Sequence, residues 1–273
     1  MPELPEAETI GKALAKVLTG RKITKVEVFT PAMRTPLAPL EDAQLEGKTV
    51  TAVRRRGRYV IAALDDGRCL LMHFGMSGVV RVEDAGVPKR KHEHVFIHLD
   101  DGMIFRFECT RRFSLLEVHE LGGAEFPAVL SALGVEPLSD EFTAQRLFEA
   151  FQRKKVAVKV ALMDNSIVCG IGNIYATETL FASGVDPRRS AMTVTLAECE
   201  KIVENARSIL REAIKCGGTT ISDFKSVDGS EGKFVLKLKI YGRAGQQCPV
   251  CGALIGSCQL GSRTSAYCPE CQK

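Results

Sequence analysis

The sequence predicts an α+β protein in which an N-terminal helix and a β-sandwich are followed by a helical module and a short cysteine-bearing ribbon. Three observations carry this prediction. Apolar residues recur at helical spacing up to Gly20, alternate with period two to about residue 118, and return to helical spacing from Thr143. Two Asp-Gly turns punctuate the alternating stretch, and four cysteines fall in two close pairs near the C-terminal end.

Residues 5–19 read as a helix because Ile10, Leu14, Val17 and Leu18 share one face and Gly20 stops it. "YVIAALDDGRCLLMHF" and "HVFIHLDDGMIFRF" each place Asp-Gly between apolar or alternating runs, the strongest local hairpin signal, and predict a sandwich or flattened barrel. The Gly- and Pro-broken stretch 119–139 reads as a linker. Beyond it, Leu147, Phe148 and Phe151 form one stripe, and "NIYATETLFASG" forms a second helix stopped by Gly184. "TLAE" at 195–198 is a capping box that opens a long helix with Ile202, Val203, Ala206, Leu210 and Ile214 inward, ending at Gly217-Gly218. The predicted domains are therefore 1–118, a linker over 119–139, a helical domain over 140–235 and a ribbon over 236–273.

Cys248, Cys251, Cys268 and Cys271 stand as C-x2-C-x16-C-x2-C, a spacing that lets two knuckles present four thiolates to one tetrahedral Zn2+. No Asp, Glu or His falls at a ligand position, so the expected site is closed and structural. Cys258 has no partner at ligand spacing and is left out of the set.

At 273 residues and 45% hydrophobic content, with no apolar run near the length of a membrane span and no basic, apolar leader, the chain is expected to be a cytoplasmic protein with no membrane partner. The net charge of +4 says little by itself. Its distribution says more: Arg54, Arg55, Arg56 and Arg58; Lys89, Arg90 and Lys91; Arg111 and Arg112; and Arg153, Lys154, Lys155 and Lys159 form four clusters, which point to a polyanion.

Two stretches carry chemistry. In "MPELPEAETI" the small second residue predicts removal of Met1, which leaves Pro2 with a free secondary amine. An α-amine titrates near 7.7–8.0 against about 10.4 for lysine, so much of it is an unprotonated nucleophile at neutral pH. A secondary amine that attacks a sugar aldehyde carbon gives a permanently cationic iminium, an electron sink, and Glu3 and Glu6 lie close enough to move protons. The same residues equally suit an ordinary helix start, where proline fits the first turn and acids favour the helix dipole. In "LMDNSIVCGIGNIYATETLF", residues 162–181, Gly170 and Gly172 precede Asn173 at a helix start, with Lys159 one turn upstream. That pattern suits a phosphate, or simply a tight turn between packed helices.

"PELPEAET", "HFGMSG" at 73–78, "RRF" at 111–113, "MDNSIVCGIGNIYATETLF", "GGTTISDF" at 217–224, "YGRAGQQCPVC" and "CPECQK" together resemble the bacterial formamidopyrimidine-DNA glycosylase family, in family order and over almost the whole chain. The resemblance implies a β-sandwich, a helix-two-turns-helix module and a zinc ribbon. It also implies a base-excision-repair DNA glycosylase and AP lyase that flips an oxidised or ring-opened purine from duplex DNA, then cuts by β,δ-elimination through a Schiff base. Pro2 becomes the nucleophile, Glu3 the general acid/base and Glu6 a supporting carboxylate. Met76, Arg111 and Phe113 fill the vacated space. Lys159 and Asn173 grip phosphates, His92 and Lys154 add DNA contacts, and Arg263 in "SRTSAYC" reaches the phosphate and assists elimination. The loop 218–233 closes over the flipped base. The expected assembly is a monomer associated with the bacterial nucleoid.

The chain departs from the family pattern at "RRRGRY", where Arg58 stands in place of a lysine that can donate a proton near the lesion. Cys109 and Thr110 replace Asp-Pro before "RRF", and Ser114 replaces the glycine after it. These departures keep two alternatives open: a lyase for oxidised pyrimidines or abasic sites, and a damaged-DNA-binding protein without turnover.

Overall fold

Glu3 keeps extended backbone (φ −96°, ψ −167°), and its carbonyl accepts the Ala7 N–H at 3.0 Å, so helix α1 spans Leu4–Leu18 in the computed structural model. Pro5 lies in the first turn, where its missing N–H costs nothing. The described residues are 1–122, 127–219 and 233–273. Gly20 ends the helix with φ +83°, a conformation open to glycine. Ile10, Leu14 and Leu18 face the core, whereas Val17, grouped with them by spacing, is 36% exposed at the edge of the stripe.

The next segment contains strand β1 (Ile23–Val28), a short helix α2 (Ala38–Glu41), and strands β2 (Val50–Arg56), β3 (Tyr59–Leu64), β4 (Arg68–His73), β5 (Gly78–Asp84), β6 (Glu93–Leu99), β7 (Met103–Cys109) and β8 (Leu115–Glu120). They pair antiparallel in two separate four-stranded sheets, β1-β6-β7-β5 and β2-β3-β4-β8. Val60, Leu70 and Met72 of one sheet share a single apolar cluster with Val95, Ile97, Phe105 and Phe107 of the other, so the β domain is a sandwich rather than a flattened barrel. Each such side chain, fully buried, contributes roughly 1.5–3 kcal/mol. Both Asp-Gly turns form hairpins: Gly67 (φ +87°) and Gly102 (φ +83°) occupy the left-handed position of three-residue loops. After β8 comes a one-turn helix, α3 (Ala128–Ser131).

The helical module comprises α4 (Ala144–Phe151), α5 (Val158–Leu162), α6 (Asn173–Ala182) and α7 (Leu196–Lys215). Thr143 caps α4 by accepting the Arg146 N–H at 3.2 Å. The capping box at α7 is formed: Glu198 N–H donates to Thr195 Oγ1 at 3.2 Å and Thr195 N–H to Glu198 Oε2 at 2.8 Å. Ile202, Val203, Ala206 and Leu210 are buried, and Ile214 is half-buried. Strands β9 (Gly256–Leu260) and β10 (Arg263–Tyr267) form the ribbon hairpin.

The chain divides into two compact units, Met1–Ser131 with Cys216–Lys233, and Ala132–Lys215 with Phe234–Lys273. The ribbon thus groups with the helices, because buried Phe181 of α6 packs among Ile240, Ile255 and Ala266. Within 119–139, Val135 is 5% exposed and bridges Val168, so that stretch packs against the loop before α6. Among the described residues no helix is long and apolar enough to cross a membrane.

Candidate active site and nucleic-acid interface

In the first unit, the capping geometry of α1 gathers three side chains that the sequence singles out. Pro2 is buried, and Glu3 and Glu6 are 4% and 2% exposed. Glu6 divides its carboxylate between two backbone donors: Oε2 accepts the Glu3 N–H at 2.9 Å and Oε1 the Thr219 N–H at 2.7 Å. One acid therefore fixes both the N-terminal turn and the chain entering the segment after 219. Gly218 permits the approach, since its φ is +83° and a Cβ there would lie 3.0 Å from Glu6 Oε1. Of the loop 218–233 expected to close over a base, all but residues 218, 219 and 233 lie outside the described residues.

The terminal amine, carried by Met1, is pushed below its ordinary value mainly by burial, with the Arg58 and Arg111 cations acting in the same direction; Glu3 and Glu6 oppose them. Arg58 occupies the two-residue turn between β2 and β3 behind Gly57, whose φ of +56° such hairpins favour. His73 stands at the end of β4. It is 8% exposed, its Nδ1 accepts the Gly75 N–H at 3.2 Å, and its ring lies 4.9 Å from that of Tyr59. Burial, reinforced by the charges of Arg58, Arg34 and the terminal amine, lowers its pKa to about 4, so it is neutral at physiological pH. A histidine on a strand carries no sequence signal that separates this environment from ordinary core.

Met76, Arg111 and Phe113 emerge on neighbouring connections, and all three are exposed, Met76 by 46% and Phe113 by 55%. His92 is half-buried on the β5–β6 connection, where its carbonyl accepts the Cys109 N–H at 2.9 Å. The basic clusters are partly internal. Arg55 donates to Glu8 at 2.6 Å, tying β2 to α1, and Arg90 bridges Glu83 and Glu93 at 2.7 and 2.8 Å. Lys89, Lys91, Arg112, Arg153 and Lys155 remain exposed.

In the second unit, Gly172 precedes α6 and Asn173 opens it. Lys159, expected at a phosphate, is only 1% exposed: its ammonium donates to Asn173 Oδ1 at 2.6 Å and to Ser265 Oγ at 2.7 Å. Asn173 Nδ2 in turn donates to the Thr264 carbonyl at 3.3 Å. This knot holds the start of α6 against β10, directly beside exposed Arg263. Lys154 pairs with Asp164 at 2.9 Å. Glu178, which no sequence motif marks, is 5% exposed and accepts three successive backbone N–H groups, from Lys239, Ile240 and Tyr241, at 2.8–3.0 Å. It anchors the turn that leads into the ribbon.

Cys248, Cys251, Cys268 and Cys271 bring their sulfurs within 4.8 Å of one another, with Cys248–Cys271 at 3.8 Å and Cys251–Cys268 at 3.4 Å. Four ligands about 2.3 Å from a tetrahedral ion would stand about 3.8 Å apart, so this donor set fits a metal ion. Cys258, on β9, is paired in register with Ser265 and does not belong to this cluster.

Comparison with known proteins agrees with this arrangement. The formamidopyrimidine-DNA glycosylase N-terminal domain model matches residues 1–116 and the H2TH domain model of the same glycosylase matches 133–225. Formamidopyrimidine-DNA glycosylases of Laribacter hongkongensis and Alcanivorax borkumensis are 45% and 44% identical over 273 residues, covering all of both chains. Among solved structures, a glycine-to-proline variant of Lactococcus lactis FPG in complex with Fapy-dG-containing DNA superposes with a TM-score of 0.90 at 30% identity, covering 100% of both chains. MutM (FPG) from Thermus thermophilus does so with 0.88 at 32% identity, covering 99% of this chain and 98% of that one. With the N-terminal helix, the sandwich, the helical module and the four-cysteine ribbon all accounted for along its whole length, this chain belongs to the formamidopyrimidine-DNA glycosylase family.

Proposed function

We propose that this chain is a base-excision-repair glycosylase and AP lyase acting on oxidised or ring-opened purines in duplex DNA, with Pro2 as nucleophile once Met1 is removed. The observation that carries the reading is the geometry of the N-terminal turn, where Pro2 is buried next to Glu3 and Glu6, 4% and 2% exposed, and Glu6 holds the Glu3 N–H at 2.9 Å. An unprotonated Pro2 nitrogen attacks C1′ of the flipped nucleotide as the base departs with its bonding electrons, and Glu3 exchanges the protons. The nitrogen gives up its proton, the C1′–O4′ bond breaks as O4′ takes a proton, and the opened sugar is left as an iminium that draws electrons from C2′. Loss of a C2′ proton then expels the 3′ phosphate, and a second elimination expels the 5′ phosphate.

Glu6 supports this site by holding the Glu3 backbone and Thr219. Met76 and Phe113 wedge into the stack and Arg111 faces the estranged base. Asn173, Arg263, His92 and Lys154 contact the phosphates, and Lys159 acts through Asn173 and Ser265. The ion at the four cysteines is Zn2+, since an all-thiolate set of this spacing suits it and leaves no open position for catalysis. The chain works as a cytoplasmic monomer on damaged double-stranded DNA.

Arg58 favours a second reading of the substrate. A guanidinium is a poor proton donor, which suits a lyase of preformed abasic sites or oxidised pyrimidines. Excision rates on 8-oxoguanine, formamidopyrimidine, thymine glycol and abasic duplexes separate the two. A purine preference supports the first reading and a pyrimidine or abasic preference the second; cleavage of none supports a damage-binding protein without turnover.

A further inference from the structure

β4 pairs with β8 and β5 with β7, so His73 stands opposite Leu115 and Gly78 opposite Cys109. Between those two rungs the chain crosses from one sheet to the other twice, side by side, over residues 74–77 and 110–114. Met76 rises from the first crossing, Arg111 and Phe113 from the second, and all three are exposed.

Beneath them lies a small buried polar set. The Ser114 hydroxyl donates to the Phe74 carbonyl at 2.7 Å and lies 3.0 Å from Cys109 Sγ. Ser77 Oγ accepts the Arg111 N–H at 3.1 Å and sits 3.9 Å from the same sulfur. Ser114 and Cys109 are fully buried and Ser77 is 8% exposed. Phe74 and Ser77 belong to one crossing, Arg111 and Ser114 to the other, so these contacts fasten the two together. The packing leaves no slack: a Cβ on Gly78 would collide with Phe74 O and Ser114 Oγ, and one on Gly75 would lie 2.5 Å from Phe113 O. Arg112 holds a left-handed φ of +55°, which a non-glycine residue keeps only where its surroundings impose it.

We infer that Ser77, Cys109 and Ser114 are positioning residues that fix the spacing of Met76, Arg111 and Phe113, and thereby set how strongly the enzyme discriminates the base opposite the lesion. The inference rests on the reading above, in which those three side chains enter the duplex. Removing the Ser114 hydroxyl leaves the Phe74 carbonyl held only by the Gly78 N–H at the end of its own crossing, and removing the Ser77 hydroxyl leaves the Arg111 N–H without that acceptor; either loss frees one crossing to shift against the other. Recognition by Arg111 depends on where that crossing holds it.

The test is cleavage of abasic duplexes with each of the four bases opposite the site, as kcat/KM, for the wild type, Ser114→Ala, Cys109→Ala and Cys109→Ser, with Tm for each. Ser114→Ala and Cys109→Ala are expected to compress the ratio between the best and worst opposite base by roughly fivefold, the order of one lost buried hydrogen bond. Cys109→Ser keeps a polar hydrogen at that position and retains the ratio. If Ser114→Ala folds poorly, Ser77→Ala, at the rim of the set, carries the same expectation. A uniform fall across the four duplexes, or an unchanged ratio, overturns the inference. So does a wild type that cleaves all four equally, which leaves the lyase reading intact; a wild type that cleaves none overturns the lyase reading and the inference with it.

Discussion

The Lys159 ammonium donates to Asn173 Oδ1 at 2.6 Å from a site only 1% exposed, which makes a lysine of a basic cluster an internal fastener rather than a surface charge. Lys159→Met is therefore expected to weaken DNA binding by loosening Asn173 and β10 while leaving the slope of log K against log salt unchanged. Arg263→Ala, which removes an exposed cation proposed at a phosphate, should reduce that slope by about 0.9. Titrations at several salt concentrations measure both; a smaller slope in Lys159→Met would assign it a phosphate instead.

His73 makes stability depend on acid. The unfolded chain takes up this proton near pH 6.5 and the folded chain not until about 4, so between those values the unfolded state binds more protons. The contribution is complete above pH 6.5 and is lost as pH falls toward 4, up to about 3 kcal/mol for a shift of this size. Denaturant unfolding of the wild type and His73→Gln across that window should give a shallower acid decline in the variant. Parallel declines would place the loss in other groups.

Arg58 lies in the turn beside the terminal amine and lowers its affinity for protons. Arg58→Lys preserves the charge and adds a competent proton donor, so 8-oxoguanine excision should rise several-fold while cleavage of preformed abasic sites stays near the parent rate. Equal rates on 8-oxoguanine would show that this position does not limit base release.

The ribbon has little core of its own beyond the cluster of Phe181, Ile240, Ile255 and Ala266, so a metal ion at the four cysteines would be what holds it together. Cys248→Ser, or chelation, should release one equivalent of metal and unpair β9 from β10. Ser265 would then leave Lys159, and DNA affinity would fall while α4–α7 keep their helical signal. Retained affinity would show that Arg263 is placed by something other than the hairpin.

Much of this was legible in the residues because the signals are local. The Asp-Gly turns, the capping box at Thr195, Gly184 and the cysteine spacing each act within a few residues, and each element formed where it was read. The sandwich rather than a barrel, and the grouping of ribbon with helices, depend on which strands pair and which faces meet over long separations, and no local signal encodes that. The same limit hid Lys159. Its position in a basic run reads as surface charge, and only the arrival of Ser265, 106 residues later in the chain, makes it an internal donor. Glu6 repeats the lesson, since its second partner, Thr219, is 213 residues away.

Borohydride trapping on abasic duplex DNA tests most directly whether the Pro2 nitrogen is the working end of this protein. The wild type, purified without Met1, should give a covalent complex whose cross-linked proteolytic peptide begins at Pro2, and Pro2→Gly should lose most or all of it. A complex that forms equally in Pro2→Gly, or a cross-link mapped to a lysine, would contradict the account.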